Sequence, residues 1–488
     1  MIKLSNLVLD EIKLSRKEKS ILVKGLSTDS RSIRKGYLFA VLTNNTNLYI
    51  DEAIKKGAKV LLVNSDLYHT YSDLEDIVVL NHASPSELYG RLCARYYKLN
   101  FENIVAVTGT NGKTSVAWFV NNIWHKIGIK SASIGTLGVF DGKNIYKTDL
   151  TTPNIDQTYE QLSYLNKNDF KNVIIEASSH GIDQNRIGGL SISIAAITTL
   201  SRDHLDYHLS YKNYKMAKLK LFSKVSKNGL AIINDSIKEY KEFEEIALKN
   251  KLKILKVGQK YNSDFSYQIK VLKTGEQLVK VHYKNFKDFF STNLIGGFQV
   301  NNLITSMAIL LETGVPFNTL INSMKDISSP PGRMEYICNV NQARIFVDFA
   351  HTPDALKNVL LESRPHTNNK LCIVFGCGGD RDKGKRSMMG KIANEYADII
   401  YITDDNPRSE DPAKIRQMII KDLSRDAIHE YGDRAEAILR AVDMLDVGDA
   451  LIICGKGHET GQVIGDDTLP FDDAEQASIS VEALDGAL

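Results

Sequence analysis

Short apolar runs rich in β-branched residues recur along the chain. Most are closed by a polar or glycine-bearing turn and followed by apolar residues at helical spacing. The first are Leu38–Val41, a helical stretch Glu52–Lys56 closed by Gly57, and Val60–Val63. Ser84–Lys98, with Pro85 at its start, predicts a helix. Ile104–Val107 predicts a strand, after which Val116, Phe119, Val120, Ile123 and Ile127 keep helical spacing until Gly128. Val173–Ile175 and Ile192–Ile197 predict two more strands, and residues 228–290 read as short alternating strands such as Leu278–His282. Four further runs, Arg344–Val347, Leu371–Phe375, Ile399–Ile402 and Ala450–Cys454, each end in a polar or glycine-rich turn, which predicts a parallel doubly wound domain. The polar stretch before Ile104 and the proline-rich Ser328–Arg333 set boundaries near residues 99 and 330. Three domains, 1–98, 99–330 and 331–488, suit a chain of 488 residues at roughly 150 per domain. Lysine-rich Lys212–Phe222 reads as a helix with a solvated face, and Leu26–Arg31 as a capped turn.

The turn after Ile104–Val107 is Thr108-Gly109-Thr110-Asn111-Gly112-Lys113-Thr114-Ser115. Such a turn lets backbone N–H groups converge on phosphate oxygens, and the dipole of the following helix attracts negative charge. Lys113 would reach the outer phosphates and the Thr114 hydroxyl would hold Mg²⁺. Val107 stands where the general phosphate-loop pattern has its first glycine, so Gly109 makes the turn. An ordinary βα turn does not account for Gly-Lys-Thr directly after an apolar strand. Glu176-Ala-Ser178-Ser-His-Gly and Ser201-Arg-Asp-His204-Leu-Asp-Tyr-His208 follow the next two strands, at the carboxyl edge where open α/β sheets bind ligands. Mg²⁺ prefers oxygen ligands, and Glu176 is the candidate carboxylate. His204 and His208 alone read as surface or capping residues, and no third ligand at zinc spacing accompanies them.

Lys plus Arg number 61 against 59 acidic residues, so no broad basic surface argues for nucleic acid or an anionic membrane. Five scattered cysteines without a Cys-x-x-Cys pair fit neither a disulfide framework nor a zinc site. Met1–Leu14 carries Asp10, Glu11 and Lys13 where a signal peptide is apolar, and no apolar run of ~18 residues occurs, so a cytoplasmic protein is expected.

The motifs from Thr108–Thr114 through Glu176–Gly181, Ser201–His208, Gly332–Glu335, Asp348–Asp354 and Asp405–Arg408 fall in the order found in the Mur ligases, the ATP-dependent amino-acid-adding enzymes of peptidoglycan synthesis. The chain resembles that family over essentially its whole length. The resemblance implies a small N-terminal α/β domain that holds a uridine nucleotide, a central P-loop ATPase domain with a mostly parallel sheet, and a C-terminal Rossmann-like domain. It implies ATP contacts at Gly109, Thr110, Asn111, Gly112, Lys113, Thr114, Ser115, Asn302, Arg333 and Asp348. Thr28, Ser30, Thr151, Thr152, Ser178, Gln184 and Arg186 match positions for the UDP-muramoyl-dipeptide. Lys218 matches a lysine carried as a carbamate that helps hold Mg²⁺ with Thr114, Glu176 and His204; Lys113, Glu176, His204 and Lys218 would be catalytic. Arg381, Asp405, Asn406, Pro407, Arg408, Gly455 and Glu459 match the amino-acid site. Gln299 replaces a usual Asn, and the loop Thr43–Asn47 is shortened.

The implied reaction activates a carboxylate with ATP as an acyl phosphate, which an amine then attacks. Closure across Pro330-Pro331 would exclude water. Arg408 offers a planar fork of donors suited to a second carboxylate. A surface pair with Glu410 or Asp411 is the plainer reading of that arginine, but lysine-adding relatives typically lack it, so the resemblance favours meso-diaminopimelate over L-lysine. A folylpolyglutamate-synthase-like ligase fits less well, because Gly112-Lys113-Thr114 differs from that group's Gly-Lys-Gly. An inactive nucleotide-binding regulator would be expected to have lost Lys113, Glu176 or Lys218. Small-molecule partners and a monomer are expected.

Overall fold

In the computed structural model, residues 1–42, 47–272, 274–421, 423 and 427–484 are described. They form two compact units, one of residues 1–258 with 305–314, the other of residues 259–304 with 315–488. These divide the chain at places other than residues 99 and 330.

The first unit opens with a ribbon of β1 (Ile2–Lys3) and β2 (Leu22–Val23), then a four-stranded parallel sheet of β3 (Gly25–Ser27), β4 (Tyr37–Ala40), β5 (Val60–Val63) and β6 (Val78–Asn81) in that order. The helix Pro85–Tyr97, with proline in its first turn, buries Leu88, Tyr89 and Leu92 and leads into β7 (Asn103–Thr108). Around β7 lie β8 (Ser131–Gly135), β9 (Gly138–Phe140), β10 (Ile145–Tyr146), β11 (Asn172–Glu176), β12 (Ile192–Ile197), β13 (Val225–Asn234) and β14 (Lys253–Gly258), in the order β10-β9-β8-β11-β7-β12-β13-β14. Strands β8, β11, β7, β12, β13 and β14 are parallel. Both faces of the inner strands are covered, which is why Val105, Ala106 and Val107 are apolar without alternation and all buried. Asp156, on the helix Ile155–Lys167, ties the N-terminal sheet to the larger one: it accepts from the Thr28 backbone N–H at 2.7 Å, the Thr28 hydroxyl at 2.8 Å and the Tyr89 hydroxyl at 2.5 Å.

The second unit begins with an antiparallel sheet of β15 (Phe265–Val271), β16 (Gln277–Tyr283) and β17 (Phe286–Thr292), as the alternation of Leu278–His282 predicts. Its larger sheet contains β18 (Glu335–Val340), β19 (Ala343–Asp348), β20 (Leu371–Phe375), β21 (Ile399–Ile402), β22 (Ile428–Glu430) and β23 (Ala450–Cys454). The order is β18-β19-β23-β20-β21-β22, parallel except for β18, so the four predicted strands do form one doubly wound sheet with a core on each face. A hairpin of β24 (Gly461–Ile464) and β25 (Asp467–Pro470) precedes the last helix, Asp473–Leu484. Arg434 and Asp473, both fully buried, join that helix to Arg434–Asp443 with two N–O contacts of 2.7 Å.

His366 fastens β15–β17 to the larger sheet. Its Nδ1 lies 2.8 Å from the Gly275 carbonyl and its Nε2 lies 3.4 Å from the Gly296 N–H, while Arg344 donates to its backbone oxygen. Only the neutral ring protonated on Nδ1 makes both bonds. Burial holds its pKa below the ordinary imidazole value; Arg344 adds to that, and the Gly275 carbonyl and Glu362 oppose it. Because the folded pKa is the lower one, the unfolded chain binds more protons between the two values. The stability contributed by neutral His366 is therefore lost as pH falls from about 6.5 toward the folded value. Thermal stability should fall less between pH 7.5 and 5.5 in His366→Gln than in the unmodified chain; equal slopes would show that the ring does not titrate on unfolding.

Candidate active site

The phosphate loop closes β7 as its sequence requires. Gly109 has φ +150° and Gly112 φ +87° immediately before the helix Lys113–Lys126. A Cβ on Gly109 would lie 1.9 Å from the Thr198 hydroxyl, so this turn accepts no side chain. Lys113 Nζ donates to the carbonyls of Gly109 at 2.9 Å and Thr110 at 3.0 Å. Lys218 Nζ, from the helix Tyr211–Ser223, donates to the same Gly109 oxygen at 2.8 Å. Lys218 is 1% exposed, which corrects the solvated-face reading of Lys212–Phe222: Lys212 and Lys220 are exposed, but Lys218 occupies the buried stripe with Tyr214, Ala217 and Leu221. Burial, then the neighbouring charge of Lys113, drives its pKa far below that of an ordinary lysine. The Tyr214 ring lies 4.6 Å from Lys218 Nζ, and its hydroxyl is 2.8 Å from Thr110 Oγ1.

Glu176, at the end of β11, is 2% exposed and gathers a second cluster. Its carboxylate accepts from Thr114 Oγ1 at 3.0 Å, Thr136 Oγ1 at 3.2 Å and the Thr136 N–H at 2.9 Å. Thr136 also touches Thr151 at 3.1 Å. Thr152 Oγ1 donates to the Glu176 carbonyl at 2.7 Å, and Arg186 Nη1 donates to the Thr152 carbonyl at 2.7 Å. Thr152 Oγ1 lies 2.9 Å from Ser178 Oγ, while Arg186 Nη2 donates to Gln184 Oε1 at 2.7 Å. Thr151, Thr152, Ser178, Gln184 and Arg186 are thus linked in one cluster beside Glu176. Thr28 instead contacts Asp156, and the Ser30 hydroxyl donates to Glu52 at 2.5 Å. Residues 43–46 of the shortened loop lie outside the described residues.

His204 takes the left-handed conformation, φ +50°, beside Asp203 at 3.5 Å. His180, His204 and His208 pack together, with ring centroids of 4.9 and 5.5 Å from His180 to the other two. Burial is the largest cause lowering each of their pKa values. His208 is 5% exposed, so it is a core residue rather than a surface one. Among the described residues no three His, Cys, Asp or Glu side chains converge as a metal cluster. The Thr114–Glu176–Thr136 oxygens do suit a hard cation.

The second unit carries two further clusters. Asp348, buried at the end of β19, accepts from the N–H groups of Met334 at 2.7 Å and Ala350 at 2.8 Å. Burial raises its pKa against the opposing effect of Arg333, whose guanidinium lies 4.4 Å from the Phe349 ring centre. Gln299 is fully buried and donates to the Arg333 carbonyl at 2.8 Å, while Asn302 donates to Gln299 at 3.4 Å. The longer amide at 299 therefore links Asn302 to Arg333. At the ends of β21 and β23, Asp405 accepts from the Asn406 N–H, and Asn406 Nδ2 donates to Glu459 at 3.0 Å. A Cβ on Gly455 would lie 2.6 Å from Asp405 Oδ2, and Arg381 is exposed. The side chain of Arg408, φ +52°, donates to the carbonyls of Gly379 at 2.9 Å and Asn406 at 3.4 Å. The surface-pair reading of Arg408 fails, since Glu410 is held by Arg386 and Lys383, and Asp411 caps Ala413. Sequence reasoning missed Thr136, Tyr214 and Lys456; the buried-stripe spacing Tyr214-x-x-Ala217-Lys218 was the available signal for the second.

Residues 107–310 match the Mur ligase middle domain and residues 332–457 the Mur ligase glutamate ligase domain. The chain is 41% identical over 478 residues to the UDP-N-acetylmuramoyl-L-alanyl-D-glutamate–2,6-diaminopimelate ligase of Rickettsia bellii, covering 95% of this chain and 97% of that one. It belongs to the Mur ligase family. The relative of the same name from Bradyrhizobium diazoefficiens is 37% identical, with 98% and 99% of the two chains covered. A solved structure of a ligase of that name matches this Mur ligase with a TM-score of 0.75, 29% identity and 99% coverage of both chains. The folylpolyglutamate synthase of Thermotoga maritima, at 18% identity and a TM-score of 0.59 over 74% of this chain and 88% of its own, shares the fold.

The Glu176 cluster depends on Gly135, where a Cβ would lie 2.0 Å from Glu176 Oε1. Gly135→Ala is expected to push the carboxylate off Thr136 and to destabilise the protein by about 1–3 kcal/mol, the usual result of overpacking. Calorimetric unfolding measures it; an unchanged Tm would mean that the turn accommodates a methyl group.

Proposed function

We propose that this Mur ligase joins meso-diaminopimelate to the D-glutamate of UDP-N-acetylmuramoyl-L-alanyl-D-glutamate, forming ADP and phosphate, in the cytoplasmic synthesis of peptidoglycan precursors. The observation that carries the choice of amino acid is Arg408. Among the described residues its guanidinium hydrogen-bonds to the carbonyls of Gly379 and Asn406 and to no carboxylate, with Asp380 within electrostatic reach, and it stands beside the Asn406–Glu459 pair. The names of the relatives agree with this reading.

A carboxylate is a poor electrophile at neutral pH. Its oxygen attacks the γ-phosphorus of ATP, the bond to ADP breaks, and an acyl phosphate forms. The amine then adds to the acyl carbon, loses a proton, and the tetrahedral intermediate collapses with loss of phosphate. In this scheme residues 109–115 hold the triphosphate, and Lys113 follows the transferring group with its charge. Asn302, Arg333 and Asp348 contact the nucleotide. Thr28, Ser30, Thr151, Thr152, Ser178, Gln184 and Arg186 position the dipeptide substrate. Arg381, Asp405, Asn406, Pro407, Arg408, Gly455 and Glu459 receive the amino acid, with Arg408 on its distal carboxylate. His204 and carbamylated Lys218 complete the catalytic set. Mg²⁺, when bound, neutralises charge on the transferring phosphoryl group; Thr114, Glu176, His204 and Lys218 as its carbamate would hold it. The three-domain division at residues 99 and 330 and a monomeric state belong to the same proposal. Among the described residues no helix is long and apolar enough to cross a membrane.

Carbamylation needs a neutral amine: Lys218 nitrogen adds to CO₂, an N–C bond forms and a proton leaves. The depressed pKa of this buried lysine supplies that form. Lys218→Ala should lose ADP formation while remaining folded, and added short-chain carboxylic acids should restore part of it; full activity in the variant would end the carbamate assignment.

Offered L-lysine, the site would leave a desolvated guanidinium without its partner, and sites built around a polar partner can reject such analogues by about 10⁴-fold. Strong preference for meso-diaminopimelate is therefore expected, with Arg408→Ala raising its KM far more than that of ATP. Equal kcat/KM for the two amino acids would refute the assignment of the substrate and leave the ligase reading intact.

A further inference from the structure

Lys456 stands between Gly455 and Glu459, and its side chain has no exposure to solvent. Its Nζ donates to Gly461 O at 2.6 Å and to Asn406 Oδ1 at 3.1 Å, and lies 3.5 Å from Glu459 Oε2. Asn406 Oδ1 also accepts from the Val463 N–H at 2.9 Å, and Asn406 Nδ2 donates to Glu459 Oε2 at 3.0 Å. The three side chains therefore close a ring. Both groups facing Asn406 Oδ1 are pure donors and the group facing Nδ2 is an acceptor, so the amide has one chemically allowed orientation. Gly461 opens β24, and that strand seats Arg408: Arg408 N–H donates to the Val463 carbonyl at 3.0 Å, and the Gly465 N–H donates to the Arg408 carbonyl at 2.8 Å. One ammonium group thus holds Asn406, Glu459 and the strand behind Arg408.

We propose that Lys456 is a positioning residue of the amino-acid site, setting the orientation of Asn406 and Glu459 and the seat of Arg408 without touching the amino acid itself. The proposal rests on the reading that these residues receive the incoming amino acid. Full burial removes Lys456 from contact with any ligand, and its partners consume the donors it has. Asn406 and Glu459 are then fixed as one donor and one acceptor edge. Glu459, whose side chain is 39% exposed, keeps its second oxygen for the α-amino group of a zwitterion. Arg408, fixed through its backbone, keeps the rest of its fork for a carboxylate.

Lys456→Met keeps the length of the side chain and removes the donor. Steady-state kinetics should show KM for meso-diaminopimelate raised about tenfold or more, with KM for ATP changed less than about twofold, and reduced preference over L-lysine. A residue acting through Asn406 must also be non-additive with it. In an Asn406→Ala background the same substitution should cost less than about threefold. An unchanged KM for the amino acid, parallel rises for both substrates, or the same cost in both backgrounds would overturn the positioning role. Should Lys456→Met fail to fold, Lys456→Gln, which retains a donor, carries the same measurements. ADP formation by the unmodified enzyme that does not depend on meso-diaminopimelate would instead overturn the reading of the site.

Discussion

A carbonyl oxygen that receives two lysine side chains holds both as ammonium ions only at steep electrostatic cost. In this protein that oxygen belongs to Gly109, and the lysines are Lys113 from the loop's own helix and Lys218 from the helix Tyr211–Ser223. The fully buried Lys218 holds its proton far less tightly than an ordinary lysine, because desolvation and the charge of Lys113 act in the same direction. A neutral amine could still donate the hydrogen bond to Gly109, so losing that proton would leave the loop braced. Tyr214 is compatible with this arrangement, since its ring covers the nitrogen and its hydroxyl bonds to Thr110 in the same turn.

The two units solve a related problem with different chemistry. Each is built on parallel strands whose carboxyl ends release polar turns into one edge of a sheet. In the first unit the turns after β7 and β11 supply oxygens and cations suited to a polyphosphate. In the second, the turns after β21 and β23 supply the carboxylates of Asp405 and Glu459, the carboxamide of Asn406 and the guanidinium of Arg408, the groups proposed to receive the amino acid. The buried Lys456 differs from Lys218 in having a carboxylate oxygen at 3.5 Å and two carbonyl oxygens as acceptors, so its donors are met by protein groups.

Strands and their turns were legible because burial on both faces leaves uninterrupted apolar runs, as in Val105–Val107 and Ile452–Cys454. Glu176 and the Gly109–Ser115 loop were legible because each follows such a run directly. Lys218 by itself was not: a lysine-rich helix suggests solvent, and only its place in step with Tyr214 and Leu221 marks it as interior. Thr136 and Lys456 were not legible either, because both act through partners distant in sequence, Thr136 on Glu176 and Lys456 on Asn406, and nothing local distinguishes them from ordinary turn residues. Resemblance to the Mur ligases contributed the role of Lys218, which no pattern of apolar and polar residues contains.

The Arg434–Asp473 pair joins residues 39 positions apart in the chain, and both are fully buried. Removing one partner of such a pair leaves an uncompensated interior charge worth roughly 3–5 kcal/mol. During synthesis the same situation arises in time rather than by mutation. At about 5–20 residues per second, Arg434 waits on the order of 2–8 s for Asp473 to be made. Until then Arg434 lacks the carboxylate that its guanidinium grips in the folded protein, so the helix Arg434–Asp443 closes fully over the sheet only after residue 473 has been made.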